Sequence, residues 1–274
     1  MIGIRKIDFH LHTNCSDGQY SPNQLVKKAI ENNIDVMAIT DHDTIAGLFD
    51  LDYPQEKLKV VTGVEFSASN YKEMHILGYN FNKNDKAILN GLFLLQQARK
   101  NRKNRIIDYL KGYDIFINDG DLDTKSDVIA RPHFAKAMVK KGYVKSIEQA
   151  FLKYLATDEF YKIDRKKPKA ENIFSMLKAS GGISVLAHPY SLKLDEEDLF
   201  KEVSALKEQG LMGIECFYPK HSKAFTKTCL EIAKRLDLLV TSGSDFHGED
   251  IRPETAMGME YNTYLLNFFK KLWC

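Results

Sequence analysis

The sequence predicts an α/β protein, a barrel of alternating strands and helices interrupted by a mainly helical insertion. Short β-branched runs alternate with amphipathic stretches in the first part of the chain. That rhythm stops from about Asn84 to Lys167, where helix-like segments follow one another, and resumes at Ala170. A length of 274 residues exceeds the usual single domain but suits one barrel plus an insertion. These observations divide the chain into a barrel made of residues 1–83 and 168–274 and an insertion over 84–167.

Ile4–Leu11 is the first expected strand. Pro22–Asn33 follows as a helix: Ser21 supplies an N-cap, Pro22 takes the first helical position, and Leu25, Val26, Ala29 and Ile30 form one apolar face. Val36–Thr40, Leu58–Val64 and His75–Tyr79 read as strands. Within the insertion, helices are expected at Ala87–Tyr113, Pro132–Lys141 and Ser146–Leu155. The basic tract Ala98-Arg-Lys-Asn-Arg-Lys-Asn-Arg105 reads as a solvated helix face, with an anion-facing surface as the alternative. The alternation then returns as helix Ala170–Ala179, strand Ile183–Ala187, helix Glu196–Gln209, strand Gly213–Cys216, helix Ser222–Leu236, strand Leu238–Thr241 and an apolar helix over Tyr261–Trp273. With no internal repeat and no low-complexity linker, the insertion is expected to pack on the barrel as one body.

Hydrophobic residues at 44% supply a large core, and charged residues at 28% keep it soluble. The net charge of +2 comes from 39 basic and 37 acidic residues, so global charge marks no nucleic-acid binder and attraction to anions must be local. Met1–Lys6 runs straight into a strand without the features of a signal peptide, and no apolar run approaches the ~18 residues of a membrane span. A cytoplasmic protein without membrane contact is expected. Cys15, Cys216, Cys229 and Cys274 are scattered, which excludes a disulfide framework and a thiolate zinc site. Cys15, between His12 and Asp17, reads as a small buried residue and not as a ligand.

The chemistry-bearing residues concentrate at strand ends. His10 and His12 end the first strand, Asp41 and His42 follow the second, Glu65 follows the third, and His75 begins or lies within the next. His188 follows Ile183–Ala187, and Asp245 and His247 come just after Leu238–Thr241. In a parallel barrel the C-terminal strand ends share one mouth. Two residues apart on a strand, His10 and His12 point to one face and suit a chelating pair. Imidazoles and carboxylates without thiolate suit zinc, manganese or iron in a hydrolytic site. The candidates exceed what one ion can use, which calls for two or three divalent ions and a bridging carboxylate, for which Glu65 is the choice.

Asp8-Phe-His-Leu-His-Thr-Asn-Cys-Ser-Asp-Gly18 together with Ile39-Thr-Asp-His-Asp-Thr44 resembles the polymerase-and-histidinol-phosphatase (PHP) superfamily. Gly63-Val-Glu-Phe-Ser67, His75-Ile-Leu-Gly-Tyr79, Ala187-His-Pro189 and Gly243-Ser-Asp-Phe-His-Gly248 are similar to its later motifs in the proper order, and the match spans about residues 6–258. The resemblance implies a distorted (β/α)7 barrel with a trinuclear cluster. By position it implies His10, His12, Glu65 and Asp245 on the first ion, Glu65, His75 and His188 on the second, and Asp17, His42 and His247 on the third. Asp17, where some relatives use histidine, resembles the branch acting on nucleoside 3′,5′-bisphosphates such as adenosine 3′,5′-bisphosphate or on short oligoribonucleotides, as do Ala130-Arg-Pro-His-Phe-Ala135 and Gly142-Tyr-Val-Lys-Ser-Ile147. After Tyr154 the glycine-proline-rich turn of relatives is replaced by Ala156-Thr-Asp-Glu-Phe-Tyr161, a departure that bears on loop shape and substrate choice.

The expected reaction is in-line attack on phosphorus by a metal-activated hydroxide, with inversion and no covalent nucleophile. The insertion would cap the substrate. Arg131 would grip its phosphate, and His133 would donate a hydrogen bond or protonate the leaving oxygen. Asp43 would orient His42 or a water, or else cap a helix over Thr44–Asp50; His221 reads as a surface residue without a role. Gly18, Gly63 and Gly248 would permit tight turns. The alternatives are a histidinol-phosphate phosphatase and a non-catalytic metal-binding module; no stable protein partner is implied.

Overall fold

The computed structural model describes residues 4–49, 51–122, 129–163 and 166–273. Its strands are β1 (Lys6–Leu11), β2 (Val36–Ile39), β3 (Lys59–Ser67), β4 (His75–Tyr79), β5 (Ile183–Leu186), β6 (Gly213–Phe217), β7 (Leu239–Ser242) and β8 (Met259–Glu260). They form one sheet in the order β7-β6-β5-β4-β3-β2-β1-β8. Beyond β7 the chain turns back to β1: the Asp245 N–H donates to the His10 carbonyl (2.8 Å), the His12 N–H donates to the Phe246 carbonyl (3.0 Å), and Leu11 faces Phe246 in parallel. These bonds curl β1–β7 into a nearly closed barrel. The short β8 pairs antiparallel with the start of β1, Lys6 opposite Glu260. At two residues it carries no periodicity to read, which is why the sequence did not announce it.

The expected parallel mouth needs one correction. β1/β2, β2/β3, β5/β6 and β6/β7 are parallel, but β4 is antiparallel to both β3 and β5. The physical reason is the length of the connection: residues 68–74 are too few for the crossover of a dozen or more that a parallel return requires. Reversal has a useful consequence. The N-terminal end of β4 now lies at the same mouth as the C-terminal ends of its neighbours, with His75 opposite Ser67.

Helices α1 (Pro22–Glu31), α6 (Ala170–Ala179), α7 (Glu196–Gln209), α8 (Lys223–Arg235) and α9 (Leu266–Trp273) contribute apolar residues to the barrel core. A capping box between Ser21 and Gln24 starts α1, whose Leu25, Val26 and Ala29 are buried as expected. The insertion contains α2 (Lys86–Lys111), α3 (Arg131–Lys140), α4 (Ile147–Ala150) running into a π-helical turn at Phe151–Leu155, and α5 (Asp158–Tyr161) in the stretch that departs from the family pattern. Ile106, Leu110, Phe134, Met138 and Phe160 belong to a second apolar core. Ile88, Leu92 and Leu95 from the first half of α2 enter the barrel core instead, so this helix spans both.

The basic tract on α2 is the expected solvated face only in part: Lys100 and Arg105 are exposed, but its other cations are held by the protein. Arg99 is buried and pairs with Asp43, Nη2 to Oδ2 at 2.6 Å; Lys103 is buried against Asp119, Nζ to Oδ2 at 2.6 Å. Arg102 donates through Nε to the Ile163 carbonyl at 2.9 Å. Three of its cations therefore fasten α2 to its surroundings. Among the described residues, no helix is long and apolar enough to cross a membrane.

Candidate metal centre

Glu65 stands near the end of β3, and the backbone binds it to the chain beyond β2: the Asp43 N–H donates to the Glu65 carbonyl (2.9 Å) and the Glu65 N–H to the Asp41 carbonyl (3.2 Å), which sets His42 beside Glu65. Its Oε2 lies 2.9 Å from His42 Nδ1, 3.2 Å from His12 Nε2 and 3.4 Å from His10 Nε2. Its Oε1 lies 2.8 Å from His75 Nδ1 and 3.0 Å from His188 Nε2. Asp245 Oδ1 is 3.2 Å from His12 Nε2 and 3.5 Å from His10 Nε2. Asp17 lies 3.4 Å from His247 Nε2 and 3.7 Å from His12 Nδ1 through Oδ1, and 3.9 Å from His42 Nε2 through Oδ2. Every expected ligand is thus brought to one mouth.

Among the described residues there are three close groups: His10, His12, Glu65 and Asp245; His42, Glu65 and His75; and His12, Asp17, His42 and His247. The first is the set the family resemblance implies. The other two differ from it by taking in His42 and His12, while His188, which belongs to none of the three, turns Nε2 to Glu65 (3.0 Å) and Nδ1 to the Ser191 hydroxyl (3.0 Å). Glu65 belongs to two groups, as a bridging carboxylate would.

These side chains pass a test for cations that is independent of any resemblance. His10 Nε2, both ring nitrogens of His12, Asp17 Oδ1, His42 Nδ1, Glu65 Oε2 and His247 Nε2 are buried and have no hydrogen-bond partner. Burying such atoms unpaired costs ~1–3 kcal/mol each, so a concentration of them at one point calls for a partner. Bonds of ~2.0–2.2 Å to a divalent ion place neighbouring ligand atoms ~2.9–3.6 Å apart. The separations of 3.2–3.5 Å in the group around Asp245 fall in that range.

A surrounding layer aims the ligands. Glu215, fully buried on β6, accepts from His10 Nδ1 through Oε1 (3.0 Å) and from the His188 backbone N–H through Oε2 (2.7 Å). Fixing the proton on Nδ1 leaves His10 Nε2 as a lone pair facing Glu65 and Asp245. His247 does the same by donating Nδ1–H to the Asp245 carbonyl (2.8 Å). Asp41 gathers the Thr13 N–H, the Thr13 hydroxyl and the Ser16 hydroxyl, which shapes the loop carrying Asp17. Asp8 gathers the Ser244 N–H and hydroxyl and the Gly258 N–H, which shapes the loop carrying Asp245 and His247. Asp43, His188 and Asp245 have φ of 53°, 24° and 57°, left-handed values that local bonding must hold in place.

Glu215, Asp8, Arg252 and Tyr218 were not singled out in the sequence. The available signal was an acid inside an apolar strand, Gly213-Ile-Glu-Cys-Phe217 and Ile7-Asp-Phe9, where an unpaired charge would be too costly. Both oxygens of Glu215 accept, whereas a glutamine has one oxygen and one NH2. Glu215→Gln must therefore oppose a donor to His10 or to His188, and we expect divalent-ion affinity to fall ~10- to 100-fold with the fold retained. Calorimetric titration with manganese, beside a circular dichroism spectrum, checks this; unchanged affinity would remove Glu215 from the ligand-aiming layer.

Electrostatics reinforce the cation preference. Burial pushes the Glu65 carboxyl up, but His42, His75 and His10 outweigh it and hold it well below the usual carboxylate range. Asp17 is likewise depressed against burial by His42 and His247, and Asp245 by Arg252, His10 and His247. All three are anionic at neutral pH. Burial lowers His12, yet Asp245 and Glu65 raise it to about 9. Burial lowers His247 to about 4, helped by His12 and Arg252. An ion held by His12 would have to displace that proton.

Around this centre, Arg252 binds the second oxygen and the carbonyl of Asp245, and the Tyr218 hydroxyl donates to Asp245 Oδ2 at 3.1 Å. Arg131 donates through Nη1 to the Tyr161 hydroxyl (3.0 Å) and sits 3.8 Å from Glu73, two residues before His75. The His133 imidazole accepts at Nδ1 from the Ala130 N–H (3.0 Å) and is lowered by burial against the charge of Asp17. Asp43 takes the Ser67 N–H and Arg99. It does not cap the expected helix over 44–50, which is a single 3-10 turn at Ala46–Leu48 with Ile45 at its N-cap position and no side-chain cap; Asp50 is outside the described residues. His221 is half-buried, more enclosed than the surface residue expected: its Nε2 is buried without a partner, Nδ1 donates to the Cys216 carbonyl, and its ring packs on Tyr218 and Phe225. Cys15 is half-buried and belongs to none of the ligand groups.

The family model for the PHP domain matches residues 8–175. The chain is 30% identical over 247 residues to a 5′-3′ exoribonuclease of Haemophilus influenzae, covering 89% of this chain and 90% of that protein. It is 30% identical over 253 residues to a phosphoribosyl 1,2-cyclic phosphate 1,2-diphosphodiesterase of Eggerthella lenta (88% and 94% covered). It is 28% identical over 250 residues to a 3′,5′-nucleoside bisphosphate phosphatase of Chromobacterium violaceum (89% and 88% covered). A solved structure from Bifidobacterium adolescentis, assigned to the metal-dependent phosphoesterases, superposes with a TM-score of 0.83 at 27% identity, covering 97% of this chain and 96% of that one.

Proposed function

Because the chain belongs to the PHP domain family, we propose that it is a metal-dependent phosphoesterase that hydrolyses phosphate esters of nucleotides, either 3′,5′-bisphosphates or short oligoribonucleotides. One observation carries the reading: the two oxygens of Glu65 are shared among His10, His12, His42, His75 and His188, in a cluster whose unpartnered buried atoms divalent cations would satisfy together. Manganese, zinc and iron suit this donor set.

His10, His12, Glu65 and Asp245 would hold one divalent ion, Glu65, His75, His42 and His188 a second, and Asp17, His12, His42 and His247 the surroundings of a third. Bound there, divalent ions acidify water toward neutrality and offset charge on phosphate oxygens. The protein side chains then position the ester. Arg131 is placed to grip a phosphate, its rotamer braced by Tyr161 and by the ring of Phe151. His133 serves as a neutral donor: with Nδ1 accepting from the backbone, its proton sits on Nε2, and protonating a leaving oxygen would require an imidazolium that breaks the Ala130 bond. The insertion that carries both residues is the cap over the mouth, and displacement is in-line with inversion at phosphorus.

The test is phosphate release by manganese-loaded protein from adenosine 3′,5′-bisphosphate, histidinol phosphate and a short RNA. Release from the nucleotide or the RNA, abolished by a chelator, is the expected result. Release from histidinol phosphate alone overturns the substrate class, and no release from any of them with ions bound replaces the enzyme by a metal-binding module. In the same panel His133→Ala is expected to lose ~10- to 100-fold in kcat/KM, the scale of a hydrogen bond to a charged group. The variant should keep the wild-type pH profile; a lost basic limb, the fall in rate as an essential acid gives up its proton, would restore His133 as the acid.

A further inference from the structure

We propose that Tyr190, backed by His221 and Phe225, is a stacking platform for the base of the nucleotide whose phosphate lies at the metal centre. The inference rests on the nucleotide reading above and deepens it. Tyr190 is two residues beyond His188, on the 3-10 turn Pro189–Leu192. The turn is pinned at both ends: His188 and Lys193 are left-handed (φ 24° and 55°), and the Ser191 hydroxyl meets His188 Nδ1 and donates to the Glu73 carbonyl (both 3.0 Å). A tyrosine on so constrained a turn holds its position, yet it is 53% exposed.

Its ring does not stand alone. Phe225 meets it at 6.0 Å in an edge-on arrangement and His221 at 6.4 Å. His221 lies 4.8 Å from Phe225 and 5.2 Å from Tyr218, whose ring is 5.5 Å from His188 and whose hydroxyl reaches Asp245. A chain of rings thus leads from two candidate ligands to an exposed aromatic surface. The same turn is tied to the phosphate-binding side of the mouth, since Glu73, which accepts from Ser191, also faces Arg131. His221 adds a polar atom behind the platform: with Nδ1 donating to Cys216, the buried Nε2 is an acceptor without a partner.

An aromatic face beside a phosphate site fits a nucleobase because every base offers a π-face, and stacking tolerates any sequence. Removing such a platform is expected to weaken binding ~10-fold or more per stacked base. The decisive comparison is adenosine 3′,5′-bisphosphate against ribose 3,5-bisphosphate, which keeps both phosphates and lacks the base, for wild type, Tyr190→Ala and Tyr190→Trp. Two readouts are taken: KM with manganese, and equilibrium binding to the ion-free protein by calorimetry.

In Tyr190→Ala the preference for the base-bearing ligand over the base-free one should shrink ~10-fold in KM and in Kd, with kcat for the bisphosphate moving less than KM, and Tyr190→Trp should restore it. Equal losses for both ligands, or no loss of preference, would overturn the platform. If wild type hydrolyses neither compound, the enzymatic reading fails on its own, and the binding preference still decides whether Tyr190 holds a base.

Discussion

Replacing Glu65 with glutamine is expected to lower kcat/KM on order of 10³-fold or more and to leave the protein with markedly less bound divalent metal. The size follows from how many contacts one carboxylate makes: His10, His12, His42, His75 and His188 all lie within 3.4 Å of its oxygens. Losing an outer-layer partner of a metal ligand typically costs ~10- to 100-fold, and Glu65 is placed where the close groups meet. Glutamine keeps the volume but removes the charge and turns one acceptor into a donor aimed at imidazole nitrogens. Metal content by elemental analysis after gel filtration, alongside kinetics on the best substrate, checks the expectation. A variant with full metal content and wild-type turnover would show that Glu65 bridges nothing.

The gathering of the candidate ligands at one mouth was legible in the sequence for a definable reason. His10 and His12 are spaced for one strand face, and His42, Glu65, His188, Asp245 and His247 each follow a β-branched run, so a barrel brings them to one mouth. His75 is the instructive case: a parallel strand would have sent it to the far end, and only the reversal of β4 brings it to Glu65. A periodicity of two says that β4 is a strand but carries no direction. Direction came from the length of the 68–74 connection, a signal present in the sequence and not used.

What stayed illegible were contacts between residues distant along the chain. Glu215 serves His10 across 205 positions and Asp8 serves Ser244 across 236, and no local pattern links such pairs. His221 was misread because a lone histidine near Lys220 and Lys223 looks exposed, whereas Tyr218, Phe225 and the Cys216 carbonyl enclose it. Arg99 and Lys103 depart from the expected solvated face for the same reason: composition reports charge, and burial depends on whether an acid from elsewhere arrives to meet it.

Arg99 shows how much depends on that arrival, and Arg99→Ala is expected to destabilise the protein by ~3–5 kcal/mol. Asp43 is fully buried, held in a left-handed conformation, and bonded to the Ser67 N–H, so it cannot move to water when its cation is removed. The guanidinium meets it twice, through Nε at 2.7 Å and Nη2 at 2.6 Å. Since Asp43 adjoins His42 and Ser67 follows Glu65 by two residues, the pair fastens α2 directly beneath the candidate metal centre. Urea unfolding of the ion-free protein measures the loss without linkage to metal. Asp43→Ala/Arg99→Ala, which removes both charges, should cost less than the sum of the single variants because neither charge is left buried without the other. If Arg99→Ala instead unfolds like wild type while binding of short RNA weakens and loses its salt dependence, Arg99 belongs to an anion-facing surface after all and the pair with Asp43 is incidental to stability.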